Sequence, residues 1–320
     1  MTDLPTEAEI RGWFSSLSNW GRWGDDDVLG TLNLITTDVR RAAAATVRHG
    51  RSISCAWDIS TVPTPTAAVT PQRWMVKTGL ALEPGGAVAH DRCHDGSLAT
   101  ASEFISMVFH GRTITHLDAF SHVFWEGQMY NGVPSWRVSD AGGASHHDVR
   151  SAREGIQTRG VLLDVARLRG VDWLTPDAPI MVEDLEACER AQGVRVSTGD
   201  VLLVRNGDGR RRREGADWRP EMHGHPGMHA SCLPWLHERG VAALGSDGPQ
   251  DVVPSGYPGM YLPIHSVGIV AMGLWLIDNC QLEDLAAACA ELGHYDFLFT
   301  LLPLRMTGGT GSPVNPVALL

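Results

Sequence analysis

Between residues 159 and 304 the chain alternates short, unbroken apolar runs with helical patterns, and this narrows its possible folds more than anything else in it. Gly160-Val-Leu-Leu-Asp-Val, Asp200-Val-Leu-Leu-Val-Arg and Val241-Ala-Ala-Leu-Gly-Ser-Asp247 suit sheet strands covered on both faces. Helical patterns run over Val182–Gln192, His229–Arg239 and the Ala-rich Leu282–Leu292, the last stopped by Gly293. Asp296–Leu304 reads as a final strand. Such alternation predicts an α/β fold. No internal repeat or linker interrupts it, so residues 1–320 are expected to form a single domain.

Residues 1–50 read as a helical and aromatic arm of that domain. Thr6, with Glu9 three residues on, caps a helix carrying Ile10, Trp13, Phe14 and Leu17 at helical spacing. Trp20, Trp23 and Asp25-Asp26-Asp27 follow, and Thr37 caps a second helix through Val47. Ser52–Ile59, Arg73–Leu82 and Glu103–His110 alternate apolar and polar residues as strands do, with a Pro/Thr-rich loop at 62–72. The third is expected to deliver the chain into its chemically richest segment.

That segment is Phe109-His110-Gly111-Arg112-Thr113-Ile114-Thr115-His116-Leu117-Asp118-Ala119-Phe120-Ser121-His122. His116 and Asp118 are two apart, so on an extended segment they share a face and present an imidazole nitrogen and a carboxylate oxygen together. A divalent ion takes that pairing. His122 is then either a third ligand or a proton carrier beside the ion. With fourteen histidines in the chain, the spacing also has an innocent explanation. Farther along, Ser246-Asp247, His265 and Asp278-Asn279 offer the distant His and carboxylate such a site needs. Trp125, Met129, Tyr130 and Trp136 suit either an apolar wall for a ring-bearing substrate or the core. His223, His225 and His229 read as a loop entering a helix, since Gly and Pro break the cluster.

Composition removes other classes. A net charge of −11 argues against nucleic acid and anionic membrane as partners. The basic run Arg210–Arg213 reads as a solvated loop tip, and Lys77 is the only lysine available for Schiff-base chemistry. The six cysteines form no C-x-x-C pair, which suggests reduced thiols and a cytoplasmic protein. No basic, apolar leader or membrane-length run is present. No G-x-S-x-G elbow occurs, and Gly308–Pro313 lacks the Lys and helix of a phosphate cradle.

Thr115-His116-Leu117-Asp118-Ala119 with His122 resembles the signature of the cyclase family that includes bacterial kynurenine formamidase and isatin hydrolase. The likeness extends to Trp23-Gly24-Asp25, Gly30-Thr-Leu-Asn, Gly160-Val-Leu-Leu-Asp, Thr198-Gly-Asp-Val-Leu-Leu-Val-Arg, Gly245-Ser-Asp, Leu302-Pro-Leu-Arg and Gly309-Thr-Gly-Ser-Pro-Val. It implies a β/β/α-type fold with a mixed sheet and flanking helices, a homodimer or homotetramer, and zinc- or manganese-dependent hydrolysis of an amide on a small aromatic or cyclic molecule. It implies His116 and Asp118 as ligands, with His265 and Asp278 the later His and carboxylate, and His122 as the proton-transfer residue. Trp23, Trp125 and Tyr130 are the expected substrate contacts. One departure stands out. Arg112 occupies the position, four before His116, where the resemblance places a ligand His, and His110 replaces it only if the loop differs. Arginine cannot ligate a metal. Either the chain binds one ion with fewer motif ligands, or Arg112 holds a substrate carboxylate or oxyanion, or it supplies the positive charge in a lyase, cyclase or metal-free hydrolase. A non-catalytic binder of small molecules is the third alternative.

Overall fold

The computed structural model describes residues 4–63, 70–79, 100–215 and 223–320. Thirteen strands are assigned within them: β1 Ser52–Ser54, β2 Gln72–Lys77, β3 Ser102–Ser106, β4 His116–Asp118, β5 Val138–Ser139, β6 Gly143–Ala144, β7 Ile156–Asp164, β8 Val201–Arg205, β9 Ala243–Ser246, β10 Trp275–Asp278, β11 Asp296–Leu301, β12 Gly311–Pro313 and β13 Val317–Leu319. Nine build one mixed sheet in the order β1-β13-β11-β7-β8-β9-β10-β4-β12. The three apolar runs of the sequence are β7, β8 and β9, and with β10, which was not expected, they form its parallel centre. β8 and β9 are buried along their whole length, as continuous apolar strands should be. Helices Val182–Gln192, Cys232–Arg239 and Glu283–Leu292 each end on a left-handed glycine, Gly193, Gly240 and Gly293. No helix among the described residues is long and apolar enough to cross a membrane.

Several boundaries differ from expectation for local reasons. Thr36, not Thr37, accepts from the Val39 N–H and so caps the second helix. The helix expected from His229 starts at Cys232, because the His229 ring accepts the Ser231 N–H instead of continuing a helix. β1 is only three residues long, and β11 ends at Leu301, just ahead of Pro303. The larger correction concerns β3. It stops at Ser106 and pairs only with β2 in a separate ribbon, where Trp74 stacks on Phe104. The chemically rich segment is therefore not the end of that strand; it supplies β4 itself. Residues 80–82 of the expected second strand, residues 64–69 of the Pro/Thr-rich loop and Cys93 lie outside the described residues. The five described cysteines are buried and free.

Candidate metal centre

β4 is held on both sides, antiparallel to β10 and to β12. Its two-residue period sends Leu117 to one face, fully buried, and His116 and Asp118 to the other. Burying Leu117 contributes about 1.5–3 kcal/mol and so fixes which face the other two must take. Asp278 lies directly opposite His116 in the β10 register, which brings its carboxylate to the same face. The turn after β4, closed by His122 N–H to the Ala119 carbonyl, folds His122 back over Asp118.

His122 Nε2 stands 4.0 Å and His116 Nε2 3.4 Å from Asp118 Oδ1. His265 Nε2 is 3.8 Å from Asp118 Oδ2 and 3.4 Å from Asp278 Oδ2. The structure thus brings together His116, Asp118, His122, His265 and Asp278, drawn from three separate parts of the sequence. His110 joins them, although sequence reasoning left it unassigned. Its ring stacks on His122 with centroids 3.7 Å apart, and its Nδ1 comes within 3.0 Å of Asp118 Oδ1. Gly311 makes this possible, since a Cβ there would lie 2.7 Å from His110 Cε1 and 2.5 Å from the Leu117 carbonyl.

The partners behind these side chains set their orientation. His116 Nδ1 bonds the Ile114 carbonyl at 2.8 Å, and His265 Nδ1 bonds Asp251 Oδ2 at 2.5 Å, so each ring presents Nε2 to the cluster. Gln250 Nε2 donates to Asp278 Oδ1 at 3.0 Å, leaving Oδ2 inward. Asp251 and Gln250 were not legible as site residues; their one signal was a polar Gly-Pro-Gln-Asp turn straight after a buried strand.

A divalent cation fits this donor set. Both oxygens of Asp118 are buried without a hydrogen-bond partner, because the nearby imidazoles lack the alignment for one. A buried, unsatisfied carboxylate is costly unless a cation meets it. Burial pushes the Asp118 carboxyl up, yet His122, His110 and His116 around it outweigh burial and hold it below the usual range. Burial pulls His265 down, and Asp278 and Asp251 reverse that to raise it well above the ordinary imidazole. The centre therefore attracts positive charge. Among the described residues, the groups close enough to share an ion are His110, Asp118 and His122, and His116, Asp118 and Asp278. Asp118 belongs to both.

Other expected contacts fall elsewhere. Tyr130 is fully buried, donates to Asp27 Oδ2 at 3.0 Å and packs against Phe120, which corrects its place in a substrate wall to the core. Trp125 stacks on Phe14 and, with Trp20 and Arg11, lines a groove of about 640 Å³. Trp23 lies beneath the Arg22 guanidinium. Arg112 forms no ion pair with the centre's carboxylates; its charge registers at His225 instead. The glycine-rich tail is no phosphate cradle but β12 and the turn before it.

The pattern of the family described as Putative cyclase matches residues 44–250, well over half of the chain. A solved structure described as a novel cyclase is 30% identical, with a TM-score of 0.84 over 96% of this chain and 99% of its own. Isatin hydrolase A of Labrenzia aggregata is 20% identical, with a TM-score of 0.57 over 86% of this chain and 94% of its own. Isatin hydrolase A of Ralstonia solanacearum is 22% identical, also at 0.57, over 88% and 97%. These two show a shared fold. No curated protein matches the sequence. On its sequence and on its closely superimposable fold, the chain is a member of the cyclase family.

Proposed function

We propose that the chain is a metal-dependent hydrolase that cleaves an amide or other C–N bond, of arylformamide, lactam or cyclic imide type, in a small aromatic molecule. The observation that carries this reading is the buried Asp118 carboxylate, without hydrogen-bond partners, ringed by imidazoles whose free nitrogens face it. His110, His116, His265, Asp118 and Asp278 would hold zinc or manganese. Bound there, such an ion supplies hydroxide near neutral pH and polarises a carbonyl.

The protein's own groups do the rest. His122 is the most exposed imidazole of the centre, with a third of its side chain open to solvent. Burial first, and the neighbouring imidazoles after it, push it down to about 4 against the pull of Asp118. It is therefore neutral at physiological pH and ready to accept a proton. It takes one from the attacking water and returns it to the leaving nitrogen as the C–N bond breaks. The stacked His110 ring and the Ala119 turn fix its position.

Metal analysis of the purified protein, before and after chelation, with turnover of a panel of arylformamides, lactams and cyclic imides, tests the reading. Activity that survives complete metal removal would refute it and favour a metal-free mechanism. His122→Ala should keep its metal while kcat falls about a hundredfold or more. Full activity in that variant would remove His122 from the mechanism.

A further inference from the structure

Two loops that shape the metal centre continue into a second buried polar cluster. In the first, His110 turns into the centre, whereas Arg112 does not. The second follows β9. Its Gln250 and Asp251 hold Asp278 and His265, while at its other end Asp247 accepts the backbone N–H groups of Asn206 and Gly207, each at 2.8 Å. Gly248 between them lies flat on His225, where a Cβ would come within 2.2 Å of ring carbon Cε1. Asn279, beside Asp278, ties the clusters together. Its amide donates to the carbonyls of Gly111 at 2.7 Å and Ile114 at 3.2 Å, and its oxygen accepts from Arg212 Nη2 at 3.0 Å.

Three guanidiniums reach the second cluster, and two of them meet a carboxylate there. Arg211 and Arg212 share one carboxylate, Asp208. His225 bonds the Pro226 carbonyl through Nδ1 at 2.6 Å, which leaves its Nε2 unprotonated. Burial pushes this imidazole down to about 3, and the nearby Arg212, Arg112 and Arg211 charges add to that. His225 is thus a neutral wall. Asp247, at its far end, faces the Arg205 guanidinium. Arg112 is the odd one: its Nη1 is buried and has no hydrogen-bond partner among the described residues. Arg112 is half-buried, so its one buried N–H lacks both a protein acceptor and free access to water, and the planar fork it belongs to matches a carboxylate.

We propose that Arg112 is a substrate-binding residue that holds a carboxylate carried by the molecule cleaved at the metal centre, which narrows the substrate class to acid-bearing amides and lactams. The inference rests on the hydrolase reading above for its use, but not for its test. Arg112 acts by positioning the substrate; it does not touch the bond that breaks.

The test is calorimetric binding of benzoate and of neutral benzamide to the full-length, zinc-loaded protein. Wild type should prefer benzoate, and Arg112→Gln should lose about ten- to a hundredfold in benzoate affinity with benzamide unchanged. Arg112→Lys, which keeps a point charge without the fork, should fall between them. Circular dichroism and zinc content establish that each variant is folded and loaded, and either variant alone decides the question. Equal benzoate affinity in wild type and variants would place the anion on the ion and overturn the inference, leaving the hydrolase reading intact. A wild type with no preference for benzoate would overturn it too. Arg112-dependent benzoate binding without turnover of any amide would uphold the anion site while removing the hydrolase.

Discussion

Replacing Asp251 separates the orientation of a ligand from ligation itself. Asp251 is fully buried and touches the centre only through His265. Its Oδ1 accepts the Ile264 N–H at 2.6 Å; its Oδ2 accepts the His265 N–H at 3.2 Å and Nδ1 at 2.5 Å. Asp251→Ala strips all three donors of their acceptor. A buried donor left unmatched costs about 1–3 kcal/mol, so the fold should lose at least about 3 kcal/mol. With Nδ1 unrestrained, metal affinity should fall about ten- to a hundredfold. Asp251→Asn has a single oxygen. Placing it at Oδ2 keeps both His265 bonds and leaves only the Ile264 N–H facing an amide, so about 1–3 kcal/mol of stability goes while the ring stays aimed. Affinity should then fall tenfold or less. Zinc titration against a chromogenic chelator reads the first quantity, and guanidinium unfolding reads the second. If Asp251→Ala bound zinc within twofold of wild type while losing the expected stability, Asp251 would be only a scaffold for the 263–265 turn, and the assignment of His265 as a ligand would fall with it.

Gly311→Ala drives a methyl group against the Leu117 carbonyl and the His110 ring, and the strand cannot yield. It should cost about 1–3 kcal/mol and weaken zinc binding, read by thermal unfolding and the same titration; unchanged zinc affinity would free His110 from the centre. The buried His225, held near 3 against an ordinary 6.5, gives a pH dependence of fixed sign. Below pH 6.5 the unfolded chain binds a proton that the folded one refuses, so this contribution to stability is complete above 6.5 and is lost as pH falls toward 3. From pH 7 to 5 the loss should be about 2 kcal/mol by denaturant titration, and His225→Gln should flatten that slope; an equal slope in the variant would refute the assignment.

How far the sequence could be read depended on the range of the interaction. β7 to β9 were legible because an unbroken apolar run has few fates in a chain of this size, and the shared face of His116 and Asp118 followed from a period of two. The convergence of His265 and Asp278 on that face could not be read from spacing; only the resemblance pointed to it. It depends on β10 lying antiparallel beside β4 with Asp278 opposite His116, a register fixed by pairing across more than 150 residues. Tyr130 misled because an aromatic side chain serves a wall and a core equally well until its hydroxyl finds Asp27. The resemblance failed at one place for a physical reason. Counting back four residues from His116 reaches Arg112, but the imidazole that comes up to Asp118 stands two residues earlier, at His110. Gly111, at φ +143°, and the Asn279 amide on the Gly111 and Ile114 carbonyls hold the loop in that path. The loop so held brings His110 to the centre and leaves Arg112 out of it. Which side chains face the centre is thus decided by the path of the backbone between His110 and Ile114, and not by counting along the sequence.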